Sequence, residues 1–304
     1  MSALERLAAM LEGHGELRRN EPMSRHTTFG IGGPADLFLT VRTLDDLSFA
    51  ANAAHDAGVD VFVLGSGSNI LVADAGIRGL VLDNRARKET PDESGTVYRV
   101  ESGASFAAFA RKMCRQGLGG LTWAVGIPGT LGGAVVYNAG AYGGSLGDVL
   151  TRVRLQTHGN GDEWVDAADL GLVYRGSVFT RGQFENKTVL EVEVRLEPAD
   201  PKALMERAAS YDAKRLAAQP RGRNAGSMFK NPPEQPAWKL IDAVGLRGAQ
   251  RGEAAISDKH CNFFVNYGNA RAEDVAWLVD EARRRVREQF GIELEREVAF
   301  VGDW

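Results

Sequence analysis

Cysteine is nearly absent from this chain of 304 residues: Cys114 and Cys261 are the only two, and neither belongs to a CxxC pair. That excludes a disulfide framework and a cysteine zinc site, and it leaves two thiols expected to be buried and reduced. No other metal-ligand spacing is present, so no metal is expected. An excess of charge is lacking too: 36 Lys and Arg stand against 40 Asp and Glu, a net charge of -4. Such a balance offers no electrostatic pull toward nucleic acid or an anionic membrane, and it points to small-molecule chemistry. Apolar runs of about 18 residues are missing, which excludes a membrane-spanning helix. The amphipathic opening, with Leu4, Leu7, Ala8 and Leu11 in helical rhythm, lacks the apolar region and cleavage site of a secretory leader. A cytoplasmic protein is therefore expected. Repeats and low-complexity tracts are absent, and the length suits about two domains, or three small ones.

One absence is local. From Gln116 to Gly147 there is no charged side chain, and the part from Ala124 to Ser145, AVGIPGTLGGAVVYNAGAYGGS, holds seven glycines in 22 residues. Pro128 and the glycines break any helix long enough to span a membrane. A segment this uncharged and this flexible points to a backbone pressed against something crowded and uncharged.

Strand and helix signals alternate along the first part. ADLFLTV (residues 35–41) reads as a strand. Thr43 with Asp46 then resembles a capping box for a helix ending near Gly58. VDVFVLG, ILVAD and GLVLD follow as strands, giving a first α/β unit over residues 1–84. A second, mixed unit over residues 85–198 has the strand VYRVESG, a helix from Ser105 to Gly117, the glycine-rich segment, and the strands LTRVRLQTH, GDEWVDA and KTVLEVEVRLE. A third, over residues 199–304, opens with a helix from Pro201 toward Ala217. It continues with a helix around residues 238–244 and one over 271–290, whose apolar face is Val275, Leu278, Val279, Ala282, Val286 and Phe290, stopped at Gly291. A terminal strand over 292–301 ends the chain and can return to the first unit. The class is α+β.

Two glycine loops carry the first chemical signal. Gly65, Ser66, Gly67, Ser68 and Asn69 follow a strand, and backbone N–H groups in such a loop can converge on a pyrophosphate. A Rossmann fingerprint is excluded, because Leu71 stands where its third glycine belongs and a strand follows in place of a helix. Taken alone, the loop is as readily a tight turn. The second loop holds Gly126, Ile127, Pro128, Gly129, Gly132 and Gly133; each glycine alone reads as steric relief in a packed β-bulge. Two such loops in consecutive units favour one elongated cofactor between them.

Other candidates are single side chains. Arg175 in YRGSVF can clamp a carboxylate, although a lone loop arginine is commonly just solvated. Ser227, Lys230 and Asn231 put a hydroxyl, an ammonium and a carboxamide within GSMFKN, which is equally a turn in which Ser bonds its own backbone. Glu293, Glu295 and Glu297 share one face of the expected terminal strand, ordinarily a solvated one. Glu297 sits at its apolar edge, where burial would raise its pKa. His260 is the best-placed histidine, and a core or supporting role suits it better than catalysis.

Seven segments, in order and over nearly the whole chain, resemble the bacterial UDP-N-acetylenolpyruvoylglucosamine reductase family, also called UDP-N-acetylmuramate dehydrogenases. They are HTTFGIGGPADLF, LGSGSNILVAD, GIPGTLGGAVVYNAGAYGG, YRGSVF, AGSMFKNP, KLIDAVGLRG with SDKHCNFFVN, and EREVAFVG. The resemblance implies the FAD-binding fold of vanillyl-alcohol oxidase and p-cresol methylhydroxylase: two α/β subdomains holding FAD and a C-terminal substrate domain. It implies NADPH as hydride donor, a nucleotide sugar bearing an enolpyruvyl group as acceptor, and a place in peptidoglycan precursor synthesis; a monomer with neither nucleic acid nor membrane as partner is the working expectation. Carried over by position, Ser227 is the proton donor, and Arg175, with Glu297 as its hydrogen-bonded companion, stabilises the substrate carboxylate and the developing enolate. Residues 65–69 and 126–133 contact FAD, while Lys230 and Asn231 assist the substrate's anionic parts. The stretch after YRGSVF is short, as in the class lacking an extra tyrosine-bearing loop, so Arg223, with Arg221 and Lys259, becomes a candidate for the diphosphate. Gly30, Tyr137 and Trp238 depart from the family pattern without removing a catalytic group. An oxidase of the same fold and a non-catalytic nucleotide-sugar binder are the competing readings.

Overall fold

The computed structural model describes all residues, 1–304. Two compact units form, each from separated segments: Met1–Arg18, Leu37–Gly65 and Gly79–Arg215 in the first, Arg19–Asp36, Ser66–Arg78 and Leu216–Trp304 in the second.

In the first unit, α1 (Ala3–Met10) starts at a capping box, Glu5 N donating to Ser2 Oγ and Ser2 N to the Glu5 carboxylate. Its Leu7, Ala8 and Leu11 are buried with the inner face of α2 (Leu44–Asp56). Thr43 caps α2 as the spacing predicts, Asp46 N donating to its Oγ1 at 3.1 Å. A four-stranded sheet, ordered Glu16–Pro22, Pro34–Val41, Ile77–Asn84 and Val61–Leu64, is built mainly in this unit, its last two strands parallel. A second, antiparallel sheet runs Asp162–Asp166, Leu150–Thr157, Lys187–Arg195, Val97–Glu101 and Glu89–Pro91. Against its core lies α3 (Phe106–Arg115), capped by Ser105, with Phe106, Phe109, Met113 and Cys114 turned inward.

The glycine-rich span folds as a 3-10 turn (Thr122–Ala124), a loop over residues 125–130, and the short α4 (Leu131–Val136) capped by Thr130, in place of a β-bulge. Its apolar residues Leu131, Ala134 and Val135 join the same core. The helix α5 (Pro201–Ala218), expected to open a third unit, buries Ala208 in this core and packs Leu204, Met205 and Tyr211 on it. Only a narrow apolar stripe is needed for that, which the sequence pattern did not tie to either neighbour.

The second unit packs α6 (Ala237–Ala243) and α7 (Ala272–Phe290) over a three-stranded antiparallel sheet, Gln250–Arg251, Ala254–Ile256 and Phe264–Asn266. Val275, Leu278, Val279, Ala282 and Val286 of α7 are buried as the 3.6-residue period requires, and Gly291 ends the helix at φ 69°. Phe290, assigned to the same stripe, is 38% exposed, because the helix outruns the core. The terminal segment corrects the expectation of a continuous strand: only Ala299–Val301 is a strand, paired in parallel with Ile70–Val72. Glu293, Glu295 and Glu297 therefore share no common sheet face. No helix is long and apolar enough to cross a membrane.

Candidate active site

In the first unit the two glycine loops touch. A Cβ on Gly65 would lie 2.5 Å from Thr130 Oγ1, so the absence of a side chain lets the loops meet. The glycines of the second loop divide by role. Gly132 is packed, since its Cβ would come 2.9 Å from Ser102 Cβ. Gly129 has φ 143°, which L side chains rarely adopt. Gly133 is exposed, and its Cβ would meet nothing nearer than Thr130 Oγ1 at 3.6 Å. Gly133 thus leaves its backbone open, while the Thr130 side chain covers the Cβ position of Gly65.

The same span holds Arg175. Val173 and Gly176 close a tight turn through reciprocal N–H···O bonds of 3.0 and 3.2 Å, with Arg175 at φ 53°. That left-handed conformation is costly for a residue with a side chain, and it persists because the turn is tied down. Asn138 Nδ2 donates to Val173 O at 3.0 Å and Ser177 Oγ to Val136 O at 2.6 Å, so both ties come from the end of α4. Neither Asn138 nor Ser177 stands out in the sequence.

In the second unit Ser227 and Glu297 belong to one frame. The segment 227–229 runs between two neighbours. On one side Ser227 bridges Phe263 antiparallel and Met228 N donates to Asn262 O at 2.7 Å. On the other, Glu297 N donates to Met228 O at 2.8 Å and Lys230 N to Glu295 O at 2.9 Å. Asn69, expected to contact a pyrophosphate, donates from Nδ2 to Glu297 O at 3.1 Å, and its main-chain oxygen accepts from Ala299 N at 3.0 Å. Its loop is held close to the chain around Thr28, which donates to Gly67 O at 3.0 Å, and a Cβ on Gly67 would collide with the His26 carbonyl. Ser66 Oγ donates to Ser68 Oγ at 3.1 Å.

The charged candidates separate. Lys230 Nζ donates to the exposed Glu295 at 2.5 Å, a surface pair that a ligand anion can replace. Asn231 Oδ1 accepts from Ala237 N at 3.0 Å and fixes the entry to α6. Lys259 Nζ donates to Leu216 O and Gln219 O at 2.9 and 2.7 Å, so its ammonium caps the end of α5. Arg223 lies across Gly30, whose Cβ would come 2.8 Å from its Cδ, and donates to Gly268 O at 3.1 Å. It lines an open cavity of about 820 Å³ with Arg25, Ser24, Thr27 and Asn269. Burial lowers the His260 pKa, which keeps it neutral; Asn262 N approaches its Nδ1 at 3.3 Å. His260 therefore supports the loop beside Phe263, with ring centroids 4.9 Å apart.

Open backbone in a glycine-rich loop beside an α+β frame is the setting of a cofactor-dependent enzyme, and residues 35–165 match the FAD binding domain family. The chain is thus of the FAD-binding class. Residues 218–301 match the C-terminal domain of UDP-N-acetylenolpyruvoylglucosamine reductase. Relatives of that name from Symbiobacterium thermophilum and Chloroflexus aggregans are 41% and 40% identical, covering 98% and 94% of this chain and 96% and 97% of their own. The crystal structure of the reductase from Thermus caldophilus superposes with a TM-score of 0.79 at 36% identity, covering 94% of this chain and all of that one. The chain belongs to the UDP-N-acetylenolpyruvoylglucosamine reductase family.

Proposed function

We propose that this chain reduces UDP-N-acetylglucosamine enolpyruvate to UDP-N-acetylmuramate, using FAD and NADPH, in peptidoglycan precursor synthesis. The observation that carries the reading is family membership over nearly the full length with Arg175, Ser227 and Glu297 all in place. FAD, when bound, carries hydride from NADPH to the enolpyruvyl C3. The backbone at Gly65, Ser66, Gly67 and Ser68, and at Gly126, Ile127, Pro128, Gly129 and Gly133, would hold it, with Gly132 and Asn69 shaping those loops.

Arg175 pairs with the substrate carboxylate and stabilises the negative charge that develops over C2 and the carboxylate. A left-handed turn tied down on either side of it fixes the Arg175 backbone, and its guanidinium lies 5.5 Å over the Tyr174 ring. Ser227 gives its hydroxyl proton to C2, completing the saturated ether. A serine hydroxyl is a weak acid, so a cation beside it, with Glu297 ordering the group, is part of this assignment. Lys230 and Arg223 assist the anionic parts of the nucleotide, Lys230 by exchanging Glu295 for phosphate oxygen. In this reading residues 1–84 and 85–198, with α5 packed on the latter, form the flavin-holding part and the rest of 199–304 the substrate domain, and the enzyme works as a cytoplasmic monomer.

Anaerobic stopped-flow spectroscopy tests the reading. NADPH should bleach the flavin, and only the enolpyruvyl nucleotide should restore its oxidised spectrum quickly. Ser227→Ala should keep the first phase and lose most of the second. Reoxidation by oxygen alone, or loss of both phases in Ser227→Ala, would defeat it.

A further inference from the structure

We infer that Asn262 is a positioning residue for the Ser227 proton donor, an inference that rests on the role just proposed for Ser227. Asn262 is 2% exposed and lies in SDKHCNFFVN, whose chemistry the mechanism does not otherwise use. Phe229, two residues beyond Ser227, is fully buried, so its peptide N–H and C=O both need partners. On the Glu297 side the bonds go to Met228 and Lys230. On the other side the chain curls at residues 257–261 and offers no strand to continue the pairing begun at Phe263.

The Asn262 carboxamide replaces that missing strand. Phe229 N donates to its Oδ1 at 2.9 Å, and its Nδ2 donates to Phe229 O at 2.8 Å. One step earlier the main-chain oxygen of Asn262 accepts from Met228 N at 2.7 Å. A carboxamide spaces donor and acceptor as a peptide group does, so this single residue completes two successive rungs beside the proton donor. Aspartate would keep the acceptor but set an oxygen against Phe229 O; an aliphatic residue would leave both groups buried and unpaired.

The opposite side has an independent anchor. Asn69 Nδ2 holds Glu297 O, and Glu297 N holds Met228 O. Loss of the Asn262 carboxamide therefore loosens the segment at Phe229, two residues from Ser227, while the main-chain bonds at Met228 and the support of Glu297 remain. Proton delivery depends on sub-ångström placement of the hydroxyl, so the defect falls on the step Ser227 performs. Asn262 touches no reacting group; it acts through Ser227.

The test uses the FAD-loaded full chain and measures the two half-reactions separately under anaerobic conditions. Asn262→Asp, nearly isosteric, should slow reoxidation by the enolpyruvyl nucleotide at least tenfold and leave reduction by NADPH within twofold of the parent. The solvent deuterium isotope effect on reoxidation should rise, because proton delivery becomes the slow step. Combined with Ser227→Ala, Asn262→Asp should add little further loss, since a donor already removed cannot be displaced. Asn262→Ser, with room for a bridging water, serves if the aspartate variant fails to hold FAD. Reoxidation within twofold of the parent, equal slowing of both halves, or fully multiplicative losses in the double variant would overturn the inference. The Ser227→Ala variant alone tests the underlying role: if it spares reoxidation, the assignment of Ser227 falls, whatever Asn262→Asp does.

Discussion

Replacing Gly133 by leucine should separate cofactor binding from folding, because of two adjacent glycines Gly132 is packed and Gly133 is open. Gly133 is exposed inside α4, and a Cβ there meets only Thr130 Oγ1 at 3.6 Å. The fold should accept leucine and gain helix propensity of about 0.7 kcal/mol. For a chain of this size that raises the apoprotein Tm by about 1–3 °C. FAD binding should weaken at least tenfold, about 1.4 kcal/mol, because the added side chain stands on the open backbone beside Thr130. Gly132→Leu is the contrast: its Cβ starts 2.9 Å from Ser102 Cβ and 3.2 Å from Ser102 O, an overpacked position that should cost the apoprotein about 1–3 kcal/mol. Flavin-fluorescence titration of the apoproteins gives the affinities, and thermal melts give the stabilities. Stoichiometric FAD at parental affinity in Gly133→Leu would refute the placement of the cofactor along this backbone.

Two further outcomes follow from titratable groups. Burial pushes the Glu193 pKa up, but hydrogen bonds from Arg152, Arg99 and Thr151, each 2.9 Å long, outweigh it and hold the pKa at about 2 against an ordinary 4.5. A depressed carboxylate stabilises the fold above its unfolded value, and that contribution disappears as pH falls from about 4.5 to about 2. With its arginine partners well exposed, Glu193→Gln should cost about 1–2 kcal/mol at pH 7 and close to nothing at pH 2, measured by urea unfolding; a cost that does not change with pH would contradict the arrangement. Both cysteines are buried, and burial raises their pKa values, that of Cys261 to about 11. A thiol reagent at pH 8 should label neither within minutes and both after denaturation, whereas rapid native labelling would show that either site is open.

Much of the fold was legible in the chain because its signals are local. Capping at Ser105 and Thr43 involves residues three apart, and the stripe on α7 repeats within a turn, whereas the Thr130 cap and the short α4 behind it were not read. Composition marked the glycine loops as candidate backbone surfaces, and the ordered motifs suggested the roles proposed for Arg175, Ser227 and Glu297. The residues that hold these groups in place were not legible. Asn262 acts on Phe229, 33 positions away, and Asn138 on Val173, 35 away, and neither has a periodicity or a neighbour to mark it.

Sequence by itself therefore determined the α+β class, the longer helices and their ends, the two glycine loops and the side chains that are candidates for chemistry. Tertiary structure alone decided which of those side chains are already engaged. Asn231 and Asn69 became structural hydrogen-bonding groups and Lys259 a helix cap, while Gly132 became a packing position and Gly133 did not. It also decided that the terminal segment is a strand only at Ala299–Val301, where Ile70–Val72 supplies a parallel edge. The physical reason is the same in each case. A side chain's capacity to donate, accept or pack is written in its residue type, but whether that capacity is free for a ligand depends on groups brought from distant parts of the chain.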